Sequence, residues 1–177
     1  MTRVARPADD EPVRIAEYDP AWPARFERER EALEEVLGAD VTGGIHHVGS
    51  TAVPGLPAKP IIDIMVGVRD LAAARSSIEP LKALDYVYAP YREDEMAWFC
   101  KPHPARRTHH LHLVPTESPR YRDVLAFRDH LRADPDAAAE YLALKRRLAA
   151  EFEHDREAYT AGKEEFVRPL VGLRARS

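Results

Sequence analysis

One carboxylate stands inside an otherwise apolar run. Residues 61–68 read Ile-Ile-Asp-Ile-Met-Val-Gly-Val, interrupted only by Asp63 and Gly67. A buried charge is costly without a partner or a metal, so Asp63 needs an explanation. Upstream, a second apolar run, Ile45 to Val48, ends at Gly49-Ser50-Thr51. Small residues let backbone N–H groups approach a phosphate closely, and Ser50 and Thr51 add hydroxyl donors. Lys59, just before the second run, can neutralise phosphate charge. If the runs are neighbouring strands, phosphate-binding backbone lies beside an acid that can hold Mg²⁺. The plainer alternative is a simple turn and an internally paired acid. Spacing alone does not separate the two.

A second constellation lies downstream. Thr108-His109-His110-Leu111-His112-Leu113-Val114 alternates as a strand does. His110 and His112 then share one face, with Leu111 and Leu113 on the other. Two histidines with Asp63 on a neighbouring strand resemble a two-His, one-carboxylate set, which suits Zn, Mn or Fe better than Mg. The histidines can equally bind phosphate directly, or serve as polar cover. His47, on the strand before Gly49, joins the ligand set by hydrogen-bonding Asp63 or by structuring the loop. Arg106 and Arg107, in a loop from Pro102 to Arg107, offer a phosphate clamp or are merely solvated. Trp98 reads as core rather than a base-stacking platform, and Arg92 to Glu95 as a solvated face. Lys145, Arg146 and Arg147 read as helix surface, with cleft lining as the alternative. Cys100 has no base beside it in sequence.

Other segments must position these groups. Residues 1–12 read as a flexible tail and Val13 to Tyr18 as a short edge strand. Asp19 as N-cap and Pro20 in the first turn start a helix that runs to Leu37 and stops at Gly38. It buries Trp22, Phe26, Leu33, Val36 and Leu37, while Glu29 and its charged neighbours are mainly solvated. Asp70 to Ala83 is helical, with Pro80 a complication. Asp85 to Ala89 and Trp98 to Lys101 are short strands. From Ser118 on the chain is helical. Ser118-Pro119 and Asp134-Pro135 start helices, Tyr141, Leu144, Leu148 and Phe152 share a face, and Gly162 breaks or bends the chain before a last short helix, Glu164 to Leu173. The expected fold is α+β. A small mixed sheet flanked by helices spans 13–117, and a helical part, 118–173, packs on it as one compact unit.

Composition narrows the classes. The chain has 177 residues, 45% hydrophobic and 32% charged, which suits a globular domain and not wholesale disorder. The net charge of −4 gives no global drive toward nucleic acid or anionic membranes, so any polyanion must meet a local basic patch. A single cysteine rules out an internal disulfide and a multi-cysteine zinc site. No run approaches the roughly 18 apolar residues of a membrane span. The start lacks the apolar core of a signal peptide. A soluble cytoplasmic protein is expected, and its oligomeric state is open.

The segments His47-Val48-Gly49-Ser50-Thr51-Ala52-Val53-Pro54-Gly55-Leu56 and Lys59-Pro60-Ile61-Ile62-Asp63-Ile64 resemble the signature of the GrpB family. Trp98-Phe99, His110-Leu111-His112-Leu113 and Tyr159-Thr160-Ala161-Gly162-Lys163 fit it too. The resemblance covers roughly residues 13 to 173. It implies a nucleotidyltransferase-like fold of the DNA polymerase beta type. It also implies, by relatives fused to dephospho-CoA kinase, an association with coenzyme A metabolism. Active nucleotidyltransferases carry a Gly-Ser or Gly-Gly pair, which Gly49-Ser50 matches. They also carry two acids one residue apart on the next strand, and a third on a later strand. Here Asp63 has Ile61 or Met65 in place of the second acid, and the later strand offers His110 and His112. Two-metal phosphoryl transfer needs several oxygen ligands. The expected ligand is a nucleotide or other small phosphate-containing molecule, with Mg, Mn or Zn as the divalent metal. Asp63 and His112 are the catalytic candidates, and Asp63, His110 and His112 the metal set. Gly49, Ser50, Thr51, Lys59, His47 and Arg107 form the phosphate-binding set. Transfer of a nucleotidyl or phosphoryl group, a non-catalytic binding module, and a His-His-Asp hydrolase are the competing readings.

Overall fold

Both apolar runs of the opening stretch are strands, and they pair. The structure is a computed structural model that describes residues 11–172. Strand β1 (Ile45–Val48) lies antiparallel to β2 (Ile62–Val68), with Val48 opposite Asp63. Strands β3 (Val87–Tyr88), β4 (Ala97–His103) and β5 (Arg106–Pro115) complete a five-stranded sheet of order β1-β2-β5-β4-β3. β5 runs parallel to β2, so Asp63 faces His110 and Met65 faces His112. The other pairings are antiparallel. This is the mixed sheet the sequence leads one to expect. β2 reads as a nearly continuous apolar run because both its faces are covered.

Strand alternation sorts the two faces. Ile62, Ile64, Val66, Leu111, Leu113 and Phe99 point to one side, where they meet Trp22, Phe26, Leu33 and Leu37 of helix α1 (Trp22–Leu37). Met65, Trp98, Cys100 and Val114 point to the other, under Tyr121, Val124 and Leu125 of helix α4 (Pro119–Ala133). Asp63, His110 and His112 share that second face. Ser118 caps α4 by accepting from the Tyr121 N–H, and Asp134 caps α5 (Pro135–Glu151) by accepting from Asp136 and Ala137. Helix α6 (Arg156–Gly172) packs back on α5.

Several sequence expectations are corrected. Val13 to Tyr18 forms no strand; only Ala16 bridges Ala58, through two hydrogen bonds of 2.9 Å. Asp19 does hold a backbone N–H, that of Ala21, but α1 starts at Trp22 with Pro23 in its first turn. The Asp70–Ala83 segment splits at Ser77 into α2 (Leu71–Ser76) and α3 (Ile78–Leu81), because Pro80 has no N–H to offer the Ser76 carbonyl. The Pro102–Arg107 loop shrinks to a turn at Pro104-Ala105, since β4 and β5 pair as far as His103 and Arg106. Gly162 does not interrupt α6. A Cβ there would stand 2.6 Å from Leu148 Cδ2, so its missing side chain lets α6 approach α5.

Glu29 is not solvated. It is buried, with Lys101 Nζ at 2.6 Å and the Tyr86 hydroxyl donating to it at 2.8 Å. The Arg92 to Glu95 loop is solvated at Glu93 and Asp94, as expected, but its two ends are tied down: Arg92 pairs with Glu164 of α6, and Arg120 of α4 donates to Glu95 at 3.1 Å. Most of the expected tail, residues 1–10, and residue 173 of the expected last helix lie outside the described residues.

Candidate functional site

The backbone after β1 turns at Gly49, whose φ of 71° and ψ of −172° belong to a region essentially closed to other residues. A 3-10 turn, Ser50–Ala52, follows. The missing side chain has a second use: a Cβ at Gly49 would lie 2.5 Å from Asp63 Oδ2. The loop backbone therefore runs against the carboxylate. Thr51 anchors the loop. Its buried hydroxyl donates to the Ile61 carbonyl (3.2 Å) and so accepts from His47 Nε2 (2.9 Å). From α4, Arg128 donates to the His47 carbonyl (3.1 Å) and Arg132 to the Ala52 carbonyl (2.8 Å).

Asp63 is the hub of a small polar cluster. His110 Nδ1 lies 3.0 Å from its Oδ1, and His112 Nε2 lies 3.8 Å from the same oxygen. Burial works against the carboxylate, but the hydrogen bonds and charge of His110 and His112 outweigh it and hold its pKa far below the usual range. Burial pushes His110 down to about 4, against the pull of Asp63. His110 is then neutral near pH 7, with its proton on Nδ1 facing an ionised acceptor. Its Nε2 is buried and has no hydrogen-bond partner among the described residues.

These groups line a cleft of about 720 Å³ between the sheet and α6. Seven Lys or Arg side chains line it against three Asp or Glu, so a chain of net charge −4 concentrates positive charge at one place. Three of the bases are amines held among aromatic rings. Lys59 Nζ lies 5.0 Å from the Tyr159 ring centre and Lys163 Nζ 4.5 Å from the same ring. Lys145 Nζ lies 5.2 Å from the Tyr141 ring and donates to the Pro57 carbonyl at 2.7 Å. Burial, with Lys163 as the next cause, pushes Lys59 and Lys145 each down to about 7. Lys163 is lowered too, by burial. An anion bound beside these buried amines favours their charged forms against that cost.

Two arginines are pinned by the β4–β5 turn. Arg107 Nε donates to the Pro104 carbonyl (2.6 Å), and Arg156 donates to the Pro104 and Ala105 carbonyls (3.1 and 3.2 Å). The Arg107 guanidinium also lies 5.2 Å from the Trp98 ring centre.

Of the residues singled out from sequence, Ser50, Thr51, Lys59, Asp63, Arg107, His110 and His112 all line this one cleft. Gly49 contributes its backbone beside Asp63. His47 does not join them. It stacks on Phe26 at 4.8 Å on the α1 side of the sheet, because alternation along β1 turns it away from Asp63. Burial pushes its pKa to about 4, and its role is to hold Thr51. Arg146 pairs instead with Glu17. Arg156 was not singled out, and Tyr159 and Lys163, named only within the family-like segment, were given no role in the cleft; Lys145 is lining rather than surface. The signal that marks them is a repeated Tyr-to-Lys spacing of four, Tyr141/Lys145 and Tyr159/Lys163, on successive helices.

The donor set does not fit a two-ion centre. On the cleft face of β2 the neighbours of Asp63 are Ile61 and Met65, both buried, and β5 supplies only histidine. Asp63, His110 and His112 do converge on one carboxylate oxygen, His110 through a hydrogen bond and His112 at 3.8 Å.

Comparison with known proteins gives a family and a fold. The family model described as GrpB protein matches residues 12–172. The chain is similar to UPF0157 protein PA4798 of Pseudomonas aeruginosa, 42% identical over 172 residues that cover 93% of this chain and 69% of that protein. It is 37% identical over 158 residues to UPF0157 protein YqkA of Bacillus subtilis, covering 88% of this chain and 45% of that one. It is also 37% identical over 183 residues to a dephospho-CoA kinase of Mycolicibacterium paratuberculosis, covering 89% of this chain and 44% of the kinase. The chain thus spans less than half the length of the last two.

Among solved structures, conserved protein GrpB from Enterococcus faecalis matches with a TM-score of 0.79 and 30% identity, covering 91% of this chain and 99% of that one. The GLD-2/RNP-8 complex (TM-score 0.53, 12% identity, 81% of this chain and 58% of that one) shares the fold alone. So does the Cid1 poly(U) polymerase with MgGTP bound (TM-score 0.52, 13% identity, 76% and 44%). The chain belongs to the GrpB family, and its fold is nucleotidyltransferase-like.

Proposed function

We propose that this protein binds a nucleotide or another small phosphate-bearing ligand in the cleft, without two-ion phosphoryl transfer. The observation that carries the reading is the concentration of buried amines: Lys59 and Lys145, each with a pKa of about 7, crowd Lys163 in a cleft walled by further arginines. An anion offsets that repulsion, and a phosphate offers several acceptor oxygens to the Ser50 and Thr51 segment and to the arginines. Asp63 holds the Gly49 loop and orients the neutral His110. It is also the one carboxylate on the sheet floor available to a single Mg, Mn or Zn ion carried in with ligand phosphates. Coenzyme A and its precursors join the panel of ligands to test because one relative, of which this chain covers 44%, is named dephospho-CoA kinase.

Calorimetric titration with inorganic pyrophosphate, nucleoside diphosphates and coenzyme A, in EDTA and again with Mg²⁺, Mn²⁺ or Zn²⁺, tests the reading. The expected result is metal-independent binding that weakens as salt rises and falls at least tenfold in Lys163→Met and Lys145→Met. Absence of binding by every probe, with both variants folded, rejects it. Binding that requires a divalent ion, vanishes in Asp63→Asn and is followed by turnover favours a transferase instead.

A further inference from the structure

The cleft has a second, chemically different end. Among the described residues only Val87 and Tyr91 are large hydrophobic side chains left exposed, and Tyr91, 41% exposed, stands at the cleft rim. Its ring lies 6.3 Å from that of Trp98 at an interplanar angle of 69°, so the two rings meet edge to face in a corner. Trp98 is 9% exposed and lines the cleft from β4, its ring 5.1 Å from that of His110.

The corner is held in place. Arg92, which follows Tyr91 with φ of 48°, is bonded to Glu164 of α6, and its guanidinium sits 5.5 Å from the Tyr91 ring centre. Glu95, at the end of the same loop, receives Arg120 of α4. The charged loop thus fixes an aromatic side chain at the exposed rim of the cleft.

We infer that the Tyr91–Trp98 corner is a stacking subsite for a planar heterocyclic base, so the ligand is a nucleotide rather than a simple phosphate or polyphosphate. The inference rests on the phosphate-binding reading above and names its ligand class. β4 lies two strands from β2 and Trp98 pairs two residues along from the partner of Asp63, so their backbones stand about 12 Å apart, a gap a ribose and its 5′ phosphates bridge. An aromatic face is tolerant of base identity, and the guanidinium of Arg107 over Trp98 suits an electron-rich ring stack. A base laid against Tyr91 leaves its phosphates directed along the floor toward Lys59 and Lys163.

The test compares the four common nucleoside diphosphates with inorganic pyrophosphate by calorimetry in wild type, Tyr91→Ala and Tyr91→Phe, and follows tryptophan emission in parallel. The other tryptophan, Trp22, is buried on the opposite face of the sheet, so a cleft-specific change reports Trp98. At least one nucleoside diphosphate should bind about tenfold more tightly than pyrophosphate and quench the emission, while pyrophosphate leaves it unchanged. Tyr91→Ala should remove that advantage without changing pyrophosphate binding, and Tyr91→Phe should keep it. Equal affinity for pyrophosphate and every nucleoside diphosphate, or an unchanged advantage in Tyr91→Ala, overturns the subsite and leaves the phosphate site standing. Failure of all five probes, and of coenzyme A, to bind wild type overturns both.

Discussion

Replacing Gly49 with alanine tests the link between the loop and the carboxylate. Two costs are built into the position. The backbone conformation, φ 71° and ψ −172°, costs a side-chain-bearing residue about 1–3 kcal/mol. The new methyl would also stand 2.5 Å from Asp63 Oδ2, so the carboxylate must rotate and weaken its hydrogen bond with His110. A hydrogen bond to a charged group contributes roughly 1.5–3 kcal/mol. Together Gly49→Ala should destabilise the protein by about 3–5 kcal/mol, a fall of about 10 °C in Tm for a chain of this size. The informative assay is a double-mutant cycle by urea denaturation with Asp63→Ala. Without the carboxylate only the backbone cost should remain, so the pair should couple by at least about 1 kcal/mol. Equal penalties in both backgrounds, or a wild-type Tm for Gly49→Ala, would refute the packing of loop on acid.

Three further outcomes follow from the same geometry. An anion that restores charge to Lys59 and Lys145 must bring protons with it, so pyrophosphate titrations at pH 8 should show proton uptake in buffers of different ionisation heat. Affinity should fall as pH rises above 7; a proton-neutral reaction would contradict the buried amines. His47 and His109 are depressed from 6.5 to about 4, chiefly by burial, so between those values the unfolded chain binds more protons than the folded one. Stability should therefore fall as pH drops from 6.5 to 4, by a few kcal/mol in all, and chemical denaturation across that window should fail to show it only if the rings are hydrated. Glu29→Ala leaves Lys101 and the Tyr86 hydroxyl without their buried acceptor and should cost about 3 kcal/mol while leaving pyrophosphate affinity unchanged. A matching loss of affinity would mean the two faces of the sheet are coupled.

Much of the site was legible because strand alternation is a local property. The period of two in residues 108–114 puts His110 and His112 on one face, and the lone acid in β2 finds them across a parallel pairing. The starts at Ser118 and Asp134 were equally legible, since a short polar side chain can satisfy a helix N-terminus in few other ways. The break at Ser77 was half visible in Pro80. The continuity of α6 was not, because Gly162 serves the approach of α5 and not a bend.

Sequence by itself marked the five strands of the sheet, though it also suggested one at Val13 to Tyr18 that does not form, and it determined the Gly-Ser-Thr turn, the solitary acid and the histidines beside it, because each depends on residue types a few positions apart. Only the tertiary structure decided which charges are buried. Helical position alone makes Glu29 and Lys145 look like surface, yet one meets Lys101 and Tyr86 across the sheet and the other meets Pro57 beneath α5. The same holds for His47, whose side of the sheet was readable but whose partner, Phe26, was not. Exposure is a property of what packs over a residue, and that partner lies far away in the chain. The cationic cleft is therefore invisible in a net charge of −4 and appears only when α5 and α6 close over the floor that carries Asp63.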